Sequence, residues 1–444
     1  MIKLILLSIQ FIVLIILAGL AVNNSYIVSI EYKDFIFSTS SSYIIASIIL
    51  IVLIIFVFQS IYFKFKNNIN KFKSNNKIKN KEKGYDAFMT GMIAIVNKDF
   101  KKAIIENRKV SKYLNDSTLH LLLKSETLKI EKKFDELSNT YEEMIKNEKT
   151  KILGLRGLME QYLRSQDYHH ALIYGENLFK ISPNIEKLYD TLVYIIGKTS
   201  NWQNLLNINE KAFSMKIIDK NVFSINKSIA FYEIAKIKQL DSQKESLKLM
   251  EKALDLRKNF APYNSFYIDL LILNNKLNFA RKFISKIWNI SPHPDYKPKI
   301  KELSERLNID YDLLVKEITM NTKNQLESKI LKAESLIYNE KWEAAKNELS
   351  PLLEHKPKKE ICLLMSKIEE GDTNDPQKID AWISRANYGE ISNIWVCRIT
   401  NISQENWSSV SNGGHFNSLE WTKPKSFDEN LSPSFAKNKI GYIV

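Results

Sequence analysis

The seven residues Asn339-Glu340-Lys341-Trp342-Glu343-Ala344-Ala345 decide how this chain folds. A polar run turns the chain, an aromatic side chain follows at once, and a small one stands three positions later. Residues three apart on a helix share a face, so the aromatic packs where the helix begins and the alanine admits a neighbouring helix closely. The same grammar recurs upstream. Phe100, Phe134, Tyr168 and Trp202 are spaced 34 residues apart, and each is followed three residues on by Ala103, Leu137, Ala171 or Leu205. Lys98-Asp99, Gln166-Asp167 and Ser200-Asn201 provide the turn before the aromatic.

Further positions keep the phase. Ser246 and Ala280 are 34 residues apart, and Ala345 follows Trp342 by three. Pro183, Pro292 and Pro357 stand twelve residues after Ala171, Ala280 and Ala345, where a helix has to stop. Gly91 and Ala333 lie twelve residues before their unit's alanine, and Met159 and Ile268 fill that place in other copies. This pattern resembles the tetratricopeptide repeat, a 34-residue helix–turn–helix unit. Stacked units bury their aliphatic stripes against one another and present a grooved surface suited to binding another protein.

The amino-terminal region follows a different rule. Residues 4–22 carry no charge, and neither do residues 43–63. At ~1.5 Å per residue each run spans a hydrocarbon core of about 30 Å, so two transmembrane helices are expected in an anchor over 1–63. Lys64, Lys66, Lys71 and Lys73 open a lysine-rich juxtamembrane linker over 64–83, whereas the loop between the spans holds only Glu31, Lys33 and Asp34. Positive flanks stay on the cytoplasmic side, which places both termini in the cytoplasm and residues 23–42 outside. Read instead as a cleavable signal with Gly19 and Ala21 before the cut, the first run leaves the second as a stop-transfer segment. The large domain keeps its side in both readings.

Composition agrees with long helices. Glycine (12) and proline (10) are scarce in 444 residues. The net charge is +14, and residues 1–83, with ten lysines against three acids, hold +7 of it. Half the excess thus belongs to the anchor region, which argues against nucleic acid as a partner. The same lysines are placed to touch anionic lipid headgroups. Two cysteines, Cys362 and Cys397, offer no disulfide framework.

The expected architecture is all-α: two N-terminal transmembrane helices, a tetratricopeptide-like α-solenoid over 84–390 and a short irregular tail over 391–444. Local sequence adds a family resemblance that covers nearly the whole chain. Trp288-Asn289-Ile290-Ser291-Pro292-His293-Pro294, Trp382-Ile383-Ser384-Arg385-Ala386 and Asn393-Ile394-Trp395-Val396-Cys397, in that order after two spans and a basic linker, resemble the HemY family of bacterial inner-membrane proteins. The resemblance implies a membrane-tethered adaptor in late haem (protohaem) biosynthesis. It also implies an inner-membrane location with the repeats in the cytoplasm, and protein partners among haem-pathway enzymes such as ferrochelatase. A general adaptor for envelope assembly or protein quality control is the alternative.

The resemblance also implies a degenerate form of a zinc-ribbon-like tail. Here Cys397 remains while Thr400, Ser411 and Gly414 fill the matching positions, so no metal is expected: one cysteine with His415 nearby cannot supply four ligands. Trp395, Trp407, Phe416, Leu419 and Trp421 are expected to form a small cap over the last repeat. Of the histidines, the adjacent His169 and His170 point to different helix faces, and His293 sits between two prolines in what reads as a rigid turn. No nucleotide-binding, metalloprotease or serine-hydrolase motif is present. The chain reads as a binding protein without a cofactor, not as an enzyme.

Overall fold

The computed structural model describes residues 8–9, 11–13, 15–16, 18–19, 26–114, 117–354 and 356–424. Much of the first expected span (4–22) and His355 therefore lie outside the described residues. The chain divides into two compact units, Met1–Leu137 and Ser138–Val444.

The first unit opens with an antiparallel hairpin of β1 (Ile27–Tyr32) and β2 (Phe35–Ser40). It leads directly into α1 (Ser41–Val96), followed by α2 (Phe100–Tyr113) and α3 (Ser117–Glu131). The hairpin departs from the all-α expectation. Its β-branched and aromatic residues favour strands, and Lys33 takes the left-handed conformation (φ 56°) that a two-residue turn demands. Among the described residues one helix, Ser41–Lys66, is long and apolar enough to cross a membrane. Beyond it the helix runs on without a break, so the lysine-rich segment 64–83 is part of α1. Gly91 on α1 is buried. A Cβ there would meet Leu123 Cδ2 at 2.8 Å, and this close approach accounts for the small residue at that position.

α4 (Phe134–Lys146) runs across the divide. The second unit continues as helix pairs: α5 (Lys151–Arg164) with α6 (Tyr168–Ile181), α7 (Leu188–Thr199) with α8 (Trp202–Ser214), and α9 (Lys220–Lys238) with α10 (Gln243–Leu256). Then come α11 (Ala261–Leu273) with α12 (Leu277–Ile290), α13 (Lys297–Leu307) with α14 (Tyr311–Ile318), α15 (Leu326–Tyr338) with α16 (Trp342–Leu349), and α17 (Lys359–Asp372) with α18 (Pro376–Asn387).

The repeat grammar has a backbone cause. Lys98, Lys132, Gln166, Asn275 and Glu340 all lie at φ between 55° and 61°, two residues before a second helix begins. Each ends the first helix in a Schellman motif. At Gln166 its own N–H donates to Leu163 O at 3.1 Å while the Asp167 N–H reaches back to Tyr162 O at 2.9 Å. The next residue caps the second helix: Asp99 and Asp167 accept from the Lys102 and His170 amides at 3.2 and 3.1 Å. The residue three after each aromatic makes the first intrahelical bond to that cap, as Ala171 N–H does to Asp167 O at 3.0 Å. Ala103, Ala171, Leu205, Ala280 and Ala345 are fully buried, and Leu137 nearly so. The aromatics are more varied: Trp202 is buried and Tyr168 and Trp342 half-buried, while Phe100 and Phe134 remain exposed.

The phase also continues where the sequence pattern left gaps. Gln243, Leu277 and Tyr311 begin second helices at 34-residue steps, as do Trp342 and Pro376. The register slips between Trp202 and Gln243, because α9 is 19 residues long, and again between Tyr311 and Trp342.

The described part of the tail, 391–424, contains a small sheet. β3 (Ile394–Cys397), β4 (Ser403–Gln404) and β5 (Leu419–Thr422) form an antiparallel sheet in the order β4-β3-β5, with Trp395 opposite Trp421 and Cys397 opposite Leu419.

Candidate partner-binding face and the docked tail

The tail docks on the middle of the repeat domain, not on its last unit, which corrects the expected position of the aromatic cap. Trp407 stands 5.4 Å from Tyr232 of α9, 5.7 Å from Tyr263 of α11 and 5.1 Å from Phe260, which caps α11. Trp395 lies 6.0 Å from Phe260, and Phe416 lies 6.4 Å from Trp202. At the end of α7 a Cβ on Gly197 would meet Val410 at 3.1 Å, so the tail rests closely on that helix. The first helices α7, α9 and α11 therefore give one surface to the tail. The aromatic contact is offset in part by polar cost: the indole nitrogens of Trp395 and Trp407 are buried without a partner, at about 1–3 kcal/mol each.

His293 belongs to this contact. It caps the 3₁₀ turn Pro294–Tyr296, its Nδ1 accepting the Asp295 N–H at 3.2 Å. The ring is buried against Trp421 at 4.5 Å and Trp395 at 6.2 Å. Burial lowers its pKa to about 4 and raises that of Asp295 to about 6. The imidazole is a neutral packing residue in a rigid turn. His169 is exposed, and His170 pairs with Asp167 at 2.7 Å and stacks on Tyr162 at 5.1 Å.

Cys397, Thr400, Ser411 and Gly414 in the tail are each engaged in hydrogen bonds. Buried Cys397 donates to Ser418 Oγ at 3.2 Å, His415 N–H donates to Ser411 Oγ at 3.2 Å, and Gly414 N–H donates to Ser411 O at 2.7 Å. Burial acts to raise the Cys397 pKa, yet hydrogen bonding with Ser418 and Thr400 outweighs it and brings the thiol down to about 7. Among the described residues no three His, Cys, Asp or Glu side chains are grouped to hold a metal ion.

Beside the tail a cavity of about 380 Å³ is lined by Lys187, Asp190 and Asn226 and, from the tail, Arg398, His415 and Phe416. A second one, of about 350 Å³, opens on the first helices α13, α15 and α17, and among the described residues none of the tail lines it. Its floor holds Lys297, buried and paired with Glu360 at 2.8 Å and Glu334 at 3.2 Å. Desolvation opposes the charge on Lys297, but the two carboxylates more than compensate and its pKa is raised. Burial raises the Glu334 pKa, with Lys297 acting against the rise. Around them lie Tyr311, Tyr338, Leu364, Lys367 and Lys301, whose ammonium sits 4.3 Å over the Tyr338 ring. A site with paired charge below, aromatic walls and two further lysines at the mouth suits a peptide that offers an acidic and an apolar side chain. Sequence periodicity flagged only packing residues such as Ala280, Trp342 and Ala345. Of the groove residues, Tyr311 opens a second helix in the 34-residue phase and is buried, yet the sequence reading did not single it out.

Fold and site together define a class: a protein of tetratricopeptide-like helix pairs with a groove open on the first helices α13, α15 and α17. No family model and no curated protein sequence matches the chain. Solved structures similar to it include the TPR2AB domain of yeast Sti1 in its pHSP90 complex, at 11% identity and a TM-score of 0.30, covering 68% of this chain and 98% of that one. A tetratricopeptide repeat protein from Parabacteroides merdae is similar at 14% identity and a TM-score of 0.28, covering 56% and 93%. Naa15/Naa10 bound to HypK-THB is similar at 15% and 0.41, covering 70% and 50%. Likenesses this distant carry no functional argument; the class rests on the helix pairs and their turns.

Proposed function

We propose that the chain is a membrane-anchored scaffold that holds other proteins on its repeat face and supports late haem biosynthesis through them, without catalysing a step itself. The observation that carries the scaffold reading is the groove of α13, α15 and α17, which no described residue of the tail lines, next to a face that the tail occupies. The haem assignment rests on the HemY-like residues 288–294, 382–386 and 393–397. The anchor is the apolar helix Ser41–Lys66, preceded by the uncharged run 4–22. Lys64, Lys66, Lys71 and Lys73, all exposed at the end of that span and just beyond it, favour a cytoplasmic repeat domain at the inner membrane by the positive-inside rule.

Photocrosslinking groups placed at Tyr338 and Leu364 in native membranes test the reading. The expected outcome is recovery of haem-pathway enzymes such as ferrochelatase, together with accumulation of porphyrin precursors when the gene is deleted. Recovery of envelope-assembly or proteolytic partners with unchanged porphyrins would replace the haem role with that of a general adaptor. Recovery of no protein at all would remove the scaffold role.

A further inference from the structure

The hairpin before α1 has two unlike faces. Strand residues alternate sides, and the register pairs Ile30 with Phe37 and Val28 with Thr39, so these share a face with Phe35. The other face carries Ser29 opposite Ser38, Glu31 opposite Ile36 and Ile27 opposite Ser40. Ile30, Phe35 and Phe37 are 59%, 69% and 69% exposed, and the two phenylalanine rings stack at 6.5 Å. A lone two-stranded ribbon is marginally stable in water, so a phenylalanine-bearing face of this kind calls for a cover.

The covering surface follows from how the hairpin is tied. Ser40 ends β2 and is at the same time the N-cap of α1, its Oγ accepting the Ser42 amide at 3.3 Å. Ser41 N–H donates to Tyr26 O at 2.8 Å, and Tyr26 N–H donates to Ser41 Oγ at 3.1 Å. The base of the ribbon is thereby fastened to the first turn of the apolar helix, with no linker between them. In sequence, strongly apolar runs end at Val22 and begin again at Tyr43, on either side of the hairpin.

We propose that β1–β2 is a lipid-interface element, lying on the outer bilayer surface with Ile30, Phe35 and Phe37 immersed among headgroups and upper acyl chains, and Ser29, Glu31 and Ser38 toward water. Aromatic and aliphatic side chains partition favourably to this depth, as in interfacial aromatic belts and amphipathic surface elements. The inference rests on the membrane-anchor reading of α1.

The test uses the full-length protein in phosphatidylcholine–phosphatidylglycerol vesicles, with an environment-sensitive thiol probe at Ile30→Cys, Phe37→Cys, Ser29→Cys or Ser38→Cys. Wild type serves as the blank, because Cys362 and Cys397 are buried. The expected result is several-fold stronger quenching by headgroup-labelled lipid at positions 30 and 37 than at 29 and 38, with aqueous iodide showing the reverse order. Equal iodide access on both faces overturns the proposal. Shielding at 30 and 37 that disappears as protein is diluted in lipid also overturns it, in favour of contact between two copies. Alkaline carbonate extraction separates the two readings. Release of the protein removes the anchor itself, whereas a pelleted protein with a water-exposed Phe37→Cys probe removes only the interface role.

Discussion

Trp407 of the tail meets Tyr263 of α11 edge-on, at 5.7 Å and 81°, so the carboxy-terminal sheet is a packed part of the repeat domain's middle. Replacing Trp407 with alanine deletes the side chain that touches α9 and α11 together. We expect a loss of about 3–5 kcal/mol from docking of the tail. Amide exchange should show protection falling across β3 and β5 while α15 and α17 keep theirs. Unchanged protection in β3 would mean that the tail is held by other contacts.

Gly371 in α17 faces Trp342, and a Cβ at 371 would come within 2.4 Å of the indole ring. Gly371→Ala should therefore destabilise by about 1–3 kcal/mol despite alanine's better helix propensity. Trp342→Leu in the same chain should recover part of the loss. Denaturant midpoints of the two variants provide the check.

Gln166 holds φ 61° at the close of its Schellman turn, a conformation that costs a side chain about 1 kcal/mol and glycine almost nothing. Gln166→Gly should raise stability by up to about 1 kcal/mol and Gln166→Val should lower it. A stabilising valine would contradict the assigned turn.

His293 and Asp295 give the domain opposing pH responses. A histidine lowered from 6.5 to about 4 refuses the proton that the unfolded chain accepts, so its contribution is lost as pH falls from 6.5 toward 4. Asp295, raised from 3.8 to about 6, takes up its proton first in the folded state and adds stability as pH falls from about 6. In wild type the two largely cancel. His293→Phe should leave the aspartate response alone and gain about 3 kcal/mol relative to wild type between pH 7 and 4. Parallel pH–stability curves for the two proteins would rule this out.

Lys301 and Tyr338 shape the mouth of the open groove. Lys301→Glu combined with Tyr338→Ala should reduce the partner captured from a group at Leu364 by about ten-fold, corresponding to ~1.4 kcal/mol of binding, with little change in melting temperature. Retained capture would move the binding surface elsewhere.

The repeat was legible because its devices are local. A cap, a left-handed turn residue and a small side chain three positions into the next helix each act within one turn, so Gln166, Asp167 and Ala171 announce themselves in order. The breaks in phase were not legible. Nothing near Lys220 shows in advance that α9 will run five residues longer than α10, and that lengthening hides the step from Trp202 to Gln243. The hairpin at 27–40 passed for an exposed loop because two six-residue strands are too short to outweigh the apolar runs on either side.

By itself the chain determined its helix pairs, their 34-residue step and the apolar helix that leads into them, since backbone sterics and side-chain periodicity operate over neighbouring residues. Only the tertiary structure decided that the aromatic tail lies on α9 and α11, that His293 is sealed beneath two tryptophans, and that Lys297 meets Glu334 and Glu360 at the base of an open groove. Those contacts join residues tens to more than a hundred and fifty positions apart. Burial and charge pairing at such separations depend on how the helices stack, and no repeating pattern along the chain records them.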